Sequence, residues 1–215
     1  MNSDKPISPT VWPAIGLLTL LSAPFFLNDF GFLMIETAPQ WIAVDYGSKV
    51  LALALLFLVV PLRRAAAETI KLQISVKGAV QPMVLCFMAI IIIDHVFRIT
   101  IPIEIDSLVL FRYPALDPGV LYWTDITFGL ALTAVSEEFV FRGVFAQLMM
   151  PYIKSPALMV AVSALIFALI HWSHGVTSVV VAGFAGVALM MLYLRTGSVL
   201  PGIVAHYAVN FWDFV

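Results

Sequence analysis

The chain has 215 residues, of which 62% are hydrophobic and only 11% charged; its formal net charge is -2 and its mean hydropathy +1.03. A water-exposed surface normally carries about 25% charged residues, so a soluble globular protein is excluded. The near-neutral balance, with no basic block, leaves no footprint for nucleic acid, and the single cysteine, Cys86 in an apolar run, excludes an internal disulfide and reads as core packing.

Continuous runs such as VLALALLFLVV and MVLCFMAIIII lack the alternation of a lipid-facing barrel strand. They fit membrane helices, each of which needs about 20 apolar residues. Seven hydrophobic segments follow one another at about 12–34, 41–62, 79–101, 120–150, 156–172, 176–194 and 198–214. The prediction is an all-α polytopic transmembrane bundle of about seven helices, forming one integral membrane domain over 1–215. The first apolar run is longer than a signal-peptide core and SAPFF is a poor cleavage site, so a retained first helix is expected. The segment RRAAAETIKLQISVK reads as an interfacial amphipathic helix, and the connection at about 102–119 is acidic and proline-containing. The last three segments are joined by PYIKSP, WSHG and RTGS, whose Pro, Gly and Ser suit tight turns between antiparallel helices.

Threading seven helices puts Lys5, Arg63, Arg64, Lys71, Lys77, Lys154 and Arg195 on one side, against Lys49, Arg98 and Arg112 near the other. The excess of basic residues marks the cytoplasmic face, which predicts a cytoplasmic N-terminus, with Glu36, Glu104, Asp106 and Asp117 outside.

Inside this apolar chain, AVSEEFVFRG carries Glu137, Glu138 and Arg142 within the fourth segment. Each charge at the centre of a bilayer costs roughly 2.5 to 3.5 kcal/mol, so each requires a partner or a use. Glu138 and Arg142 are four apart and share a helix face as an ion pair; Glu137 lies about 100° away without a local partner. A buried carboxylate of that kind suits a general base, and the competing reading is a packing device. Phe167 and His171 share a face near the end of the fifth segment, with His174 beyond them, and His206 and Asn210 share a face in the seventh. Each of these alone fits a capping or hydrogen-bonded structural residue. Together they must all point away from lipid, which they can do around one shared polar cavity. Such a cavity holds the parts for activating water and stabilising an oxyanion. Ser136 and Ser173 read as small polar residues rather than nucleophiles. A metal enzyme would use Glu137, His171 and His206 as ligands, but the HExxH pattern is absent.

With EEFVFR, FALIH and HYAVN in this order, each on a predicted membrane helix, the chain resembles the CPBP intramembrane protease family. That group contains the type II CAAX prenyl endopeptidases and the bacteriocin-processing and abortive-infection proteins. The resemblance covers roughly 120–214. It implies that Glu137 and His171 position and deprotonate the attacking water, that His206 and Asn210 form the oxyanion site, and that Glu138, Arg142 and Phe167 support the arrangement, Arg142 also toward substrate. It implies a glutamate-dependent reaction with no metal cofactor, a zinc ion being the alternative, and leaves His174 as a metal or proton-relay residue. The implied partners are the lipid bilayer and a membrane-tethered or membrane-embedded protein substrate, and the implied location is a bacterial inner membrane. From the charge pattern the site is expected near the outer face, which suits trimming of exported or surface-sorted proteins. Two rival readings are a noncatalytic immunity or binding protein of the same fold, which would not need the intact Glu137, His171, His206 and Asn210 set, and a proton-coupled carrier, against which stands the lack of inverted repeats.

Overall fold

The structure, a computed structural model, describes residues 10–71, 73–100 and 109–215; Lys5, Glu104 and Asp106 lie outside the described residues. Among the described residues all regular structure is helical. The helices are α1 Trp12–Phe32, α2 Ala38–Leu58, α3 Val60–Glu68, α4 Val76–Thr100, α5 at 120–149, α6 Pro156–Leu169, α7 Val176–Thr196 and α8 Leu200–Phe214. The seven predicted apolar segments correspond to α1, α2 and α4–α8. Single helices long and apolar enough to cross a membrane are α1, α2, α4 and α7. Their large apolar side chains point outward, as Leu27, Leu58, Leu85, Ile99 and Met191 do, and lipid is the solvent such a surface needs.

Local chemistry sets the helix starts. Thr37 caps α2 in a capping box: its hydroxyl accepts from the Gln40 N–H at 3.4 Å, and Gln40 Oε1 accepts from the Thr37 N–H at 3.0 Å. Ser155 accepts from the Leu158 N–H at 3.3 Å and Pro156 opens α6, whose 14 residues rise only about 21 Å. A hydrocarbon core is about 30 Å thick, so α6 alone is too short to cross it. α5 is continuous but not uniform, for it loosens into π-helical turns at Asp125–Gly129 and Phe139–Val144.

The predicted interfacial helix is shorter than its sequence suggested. α3 turns Leu62 and Ala66 inward and leaves Arg63 and Arg64 exposed. The chain after it is tied to the turn between α7 and α8, where Thr69 O accepts from the Val199 N–H at 2.9 Å and Thr196 O from the Gln73 N–H at 2.9 Å.

Antiparallel packing gives the bundle two unlike ends. At one, Ala14, Phe145, Met149, Met159, Met190 and Tyr193 form a solid apolar core. The centre is filled by Leu21, Phe25, Ala52, Leu56, Val140, Phe141 and Phe167. α6 and α7 approach closely because Gly186 has no side chain; a Cβ there would lie 2.9 Å from the Ala164 Cα. The other end is hollow, with a cavity of about 730 Å³ between the C-terminal halves of α1, α4 and α8 and the N-terminal halves of α2, α5 and α7.

Candidate active site

Glu137, Phe167, His171, His174, His206 and Asn210 all line this cavity, so α5, α6, α8 and the turn after α6 converge on one space. Glu138 and Arg142 stand behind it, each with 0% relative exposure. Arg142 Nη1 is 3.1 Å from Glu138 Oε1, which is the ion pair expected from their spacing. The guanidinium also lies over the Phe167 ring, with Cζ 3.9 Å from the centroid. One carboxylate and one π face thus meet a cation that has no contact with water.

His206 turns back onto this pair. Its Nδ1 is 2.9 Å from Glu138 Oε1, so Nδ1–H donates to the carboxylate, and the histidine is fixed by α5 rather than by Asn210. That leaves Nε2 toward Glu137, 3.7 Å from Glu137 Oε2, a charge-pair distance longer than a hydrogen bond. Glu138, itself paired with Arg142, thus fixes one ring nitrogen of His206. Gly202, one turn earlier on α8, permits the approach, since a Cβ there would meet Glu138 Oε2 at 2.8 Å.

His171 lies just past the end of α6 rather than within it. Its Nδ1 is 2.9 Å from the Phe167 carbonyl oxygen, and because a carbonyl only accepts, Nδ1–H is the donor. Nε2 then carries the lone pair, the form a base requires. The Phe167 ring packs edge-on to His171 at 4.9 Å and to His206 at 6.0 Å between centroids. That explains why a phenylalanine accompanies the histidine four residues later. The turn itself is gripped twice: Asp29 Oδ2 on α1 accepts from the Ser173 N–H at 3.2 Å, and Ser173 O accepts from the N–H groups of Leu110 and Phe111 at 2.9 and 3.0 Å. His174 stacks on Tyr113 at 4.8 Å.

Glu137 is 6% exposed, and its Oε2 has no hydrogen-bond partner among the described residues. Ser136, read from the sequence as a small polar residue, donates to Thr133 O at 3.1 Å. Among the described residues no three His, Cys, Asp or Glu side chains are grouped to hold a metal ion.

Several polar residues on the cavity fall outside the sequence motifs: Asp29, Asp45, Lys49, Asp94 and Asp125. The signal that singles out Glu137, a charge inside an apolar run, applies equally to them. Asp45 and Lys49 even repeat the four-residue spacing of Glu138 and Arg142, and they form a buried ion pair.

No curated protein and no solved structure matches the chain. The family model described as type II CAAX prenyl endopeptidase Rce1-like matches residues 119–212, which hold α5 through most of α8 and all three motifs. It is a protease family that works in membranes. That match, and the order in which EEFVFR, FALIH and HYAVN occur within it, make residues 119–212, somewhat less than half of the chain, similar to the CPBP intramembrane protease family.

Proposed function

We infer that the protein is an intramembrane endopeptidase that hydrolyses a peptide bond in a membrane-tethered or membrane-embedded protein. The observation that carries this reading is the buried Glu137 carboxylate, with Oε2 unpartnered, in one cavity with His171, His206 and Asn210. A water between Glu137 Oε2 and His171 Nε2 gives its proton to Glu137 as its oxygen attacks the carbonyl carbon. The carbonyl oxygen becomes an oxyanion, held by the Asn210 side-chain N–H and by His206 as an imidazolium, which donates Nδ1–H to Glu138 and Nε2–H to the oxyanion. Glu137 then passes the proton to the amide nitrogen as the C–N bond breaks, releasing an amine and a carboxylic acid. All of these steps use side chains alone, so a metal chelator is expected to leave activity intact.

Glu137→Gln keeps size and an acceptor while removing the base. The variant is expected to insert normally and to lose about a hundredfold to ten-thousandfold in cleavage rate. Comparative membrane proteomics of cells with wild type and variant identifies the precursor that accumulates. Unchanged processing of every membrane protein in that comparison would reject Glu137 as the base.

The polarity of the bundle supports an orientation. Arg63, Arg64, Lys71, Lys77, Lys154 and Arg195 all sit at the solid end with α3, whereas the cavity end holds Lys49, Arg98 and Arg112 among a larger number of carboxylates. By the excess of basic residues, the solid end faces the cytoplasm and the cavity opens on the outer side of a bacterial inner membrane, where exported or surface-sorted proteins present their cleavage sites.

A further inference from the structure

Beyond the motif residues, the cavity has a second polar wall. Asp29 from α1, Asp45 and Lys49 from α2 and Asp125 from α5 line it, each no more than 6% exposed. Lys49 pairs with Asp45, whose Oδ1 also accepts from Asn28 Nδ2 at 3.4 Å. Asp125 Oδ1 accepts from the Tyr46 hydroxyl at 2.9 Å, and Asp29 Oδ2 from the Ser173 N–H at 3.2 Å. One ammonium against three carboxylates leaves the wall formally negative. The nearby cation Arg98 is held by Asp94 at 2.7 Å and Asp213 at 2.9 Å, and Arg112 is exposed. Carboxylates taken out of water require a cation, and this wall supplies too few of its own.

Two independent observations point to what supplies it. Trp41 lines the cavity at 4% exposure, and its indole N–H has no hydrogen-bond partner among the described residues. An indole N–H only donates, so it calls for an acceptor such as a peptide carbonyl. Aromatic rings line the same cavity as the carboxylates: Tyr113 packs edge-on at 5.7 Å from both Trp41 and Phe214. Acidic groups next to aromatic faces form the chemistry that recognises an organic cation.

We propose that the wall of Asp29, Asp45, Asp125 and Trp41 is a subsite for a lysine or arginine side chain of the peptide substrate, with the Trp41 N–H bonding a backbone carbonyl beside it. The proposal rests on the peptidase reading above. Asp29, Trp41, Asp45 and Lys49 all precede residue 119, so selectivity is placed largely outside the segment that carries the family motifs.

The test has two arms. In the first, the full chain in liposomes is given a mixture of synthetic peptides, each with one apolar membrane helix and a short varied flank, and cleaved bonds are mapped by mass spectrometry. Cleaved peptides are expected to carry Lys or Arg at one fixed distance from the cut. Asp29→Asn combined with Asp125→Asn, which keeps acceptors for Ser173 and Tyr46, is expected to reduce that preference about tenfold. Cleavage without a basic preference, or a preference unchanged in the double variant, overturns the subsite and leaves the peptidase reading in place. In the second arm, Glu137→Gln protein is titrated with a short lysine-containing peptide amide and its norleucine counterpart. Lysine binding tighter by about tenfold supports the subsite even where the wild type cleaves nothing, and then it is the peptidase reading that fails; equal binding overturns the subsite. Trp41→Phe is expected to weaken both peptides alike, and unchanged binding removes Trp41 from the proposal.

Discussion

Arg142 is the largest fully buried side chain among the described residues, and its charge is met by Glu138 on one side and the Phe167 ring on the other. Removing it leaves Glu138 buried beside only His206. Arg142→Ala is therefore expected to destabilise the protein by about 3–5 kcal/mol, read as a lower midpoint of thermal unfolding in detergent. Arg142→Lys keeps the charge but not the flat group that lies on Phe167, so it should recover only part of the loss. This pair was legible in the sequence, because four residues on a helix bring two side chains together whatever the rest of the fold does. The bond from His206 to Glu138 was not, since it joins positions 68 residues apart and follows from how α8 packs on α5. The spacing of His206 and Asn210 suggests that these two bond each other; the structure instead turns the imidazole toward Glu138 and leaves Asn210 lining the cavity.

At the scale of elements, the site depends on how α6 ends and on what holds it against α7. Gly186 sets that contact, and the atom in the way of a larger residue is the Ala164 backbone, which cannot swing aside. Gly186→Ala is expected to cost about 1–3 kcal/mol in the same unfolding measurement and to lower activity, because the helix that moves leads directly into His171. All seven apolar segments were readable from hydropathy, since lipid imposes one rule on every spanning residue. Two features were not. The π-helical turns at Asp125–Gly129 and Phe139–Val144 contain no proline and arise from packing; the second begins directly after Glu138 and contains Arg142, the kind of place where such turns occur at functional sites. The early end of α6 was also hidden, because FALIHWSHG stays apolar through Ile170 while the helix stops at Leu169.

At the scale of the molecule, the unequal ends predict an orientation that can be measured. Glu36, at the cavity end, and Lys154, at the solid end, are both exposed. In a Cys86→Ala background, Glu36→Cys is expected to react with a membrane-impermeant maleimide on intact cells, and Lys154→Cys only after permeabilisation. The reverse pattern would turn the cavity toward the cytoplasm and change the class of substrates that can reach it. The short α6 has a separate consequence. It turns Leu158, Leu165 and Leu169 outward but rises only about 21 Å, so a bilayer beside it is expected to thin. On the peptidase reading, a substrate helix arriving along that flank would lose hydrocarbon cover from its end before it met Glu137. The mismatch itself would then favour fraying of its last turn, and a frayed turn is the form in which a helical peptide bond can be hydrolysed.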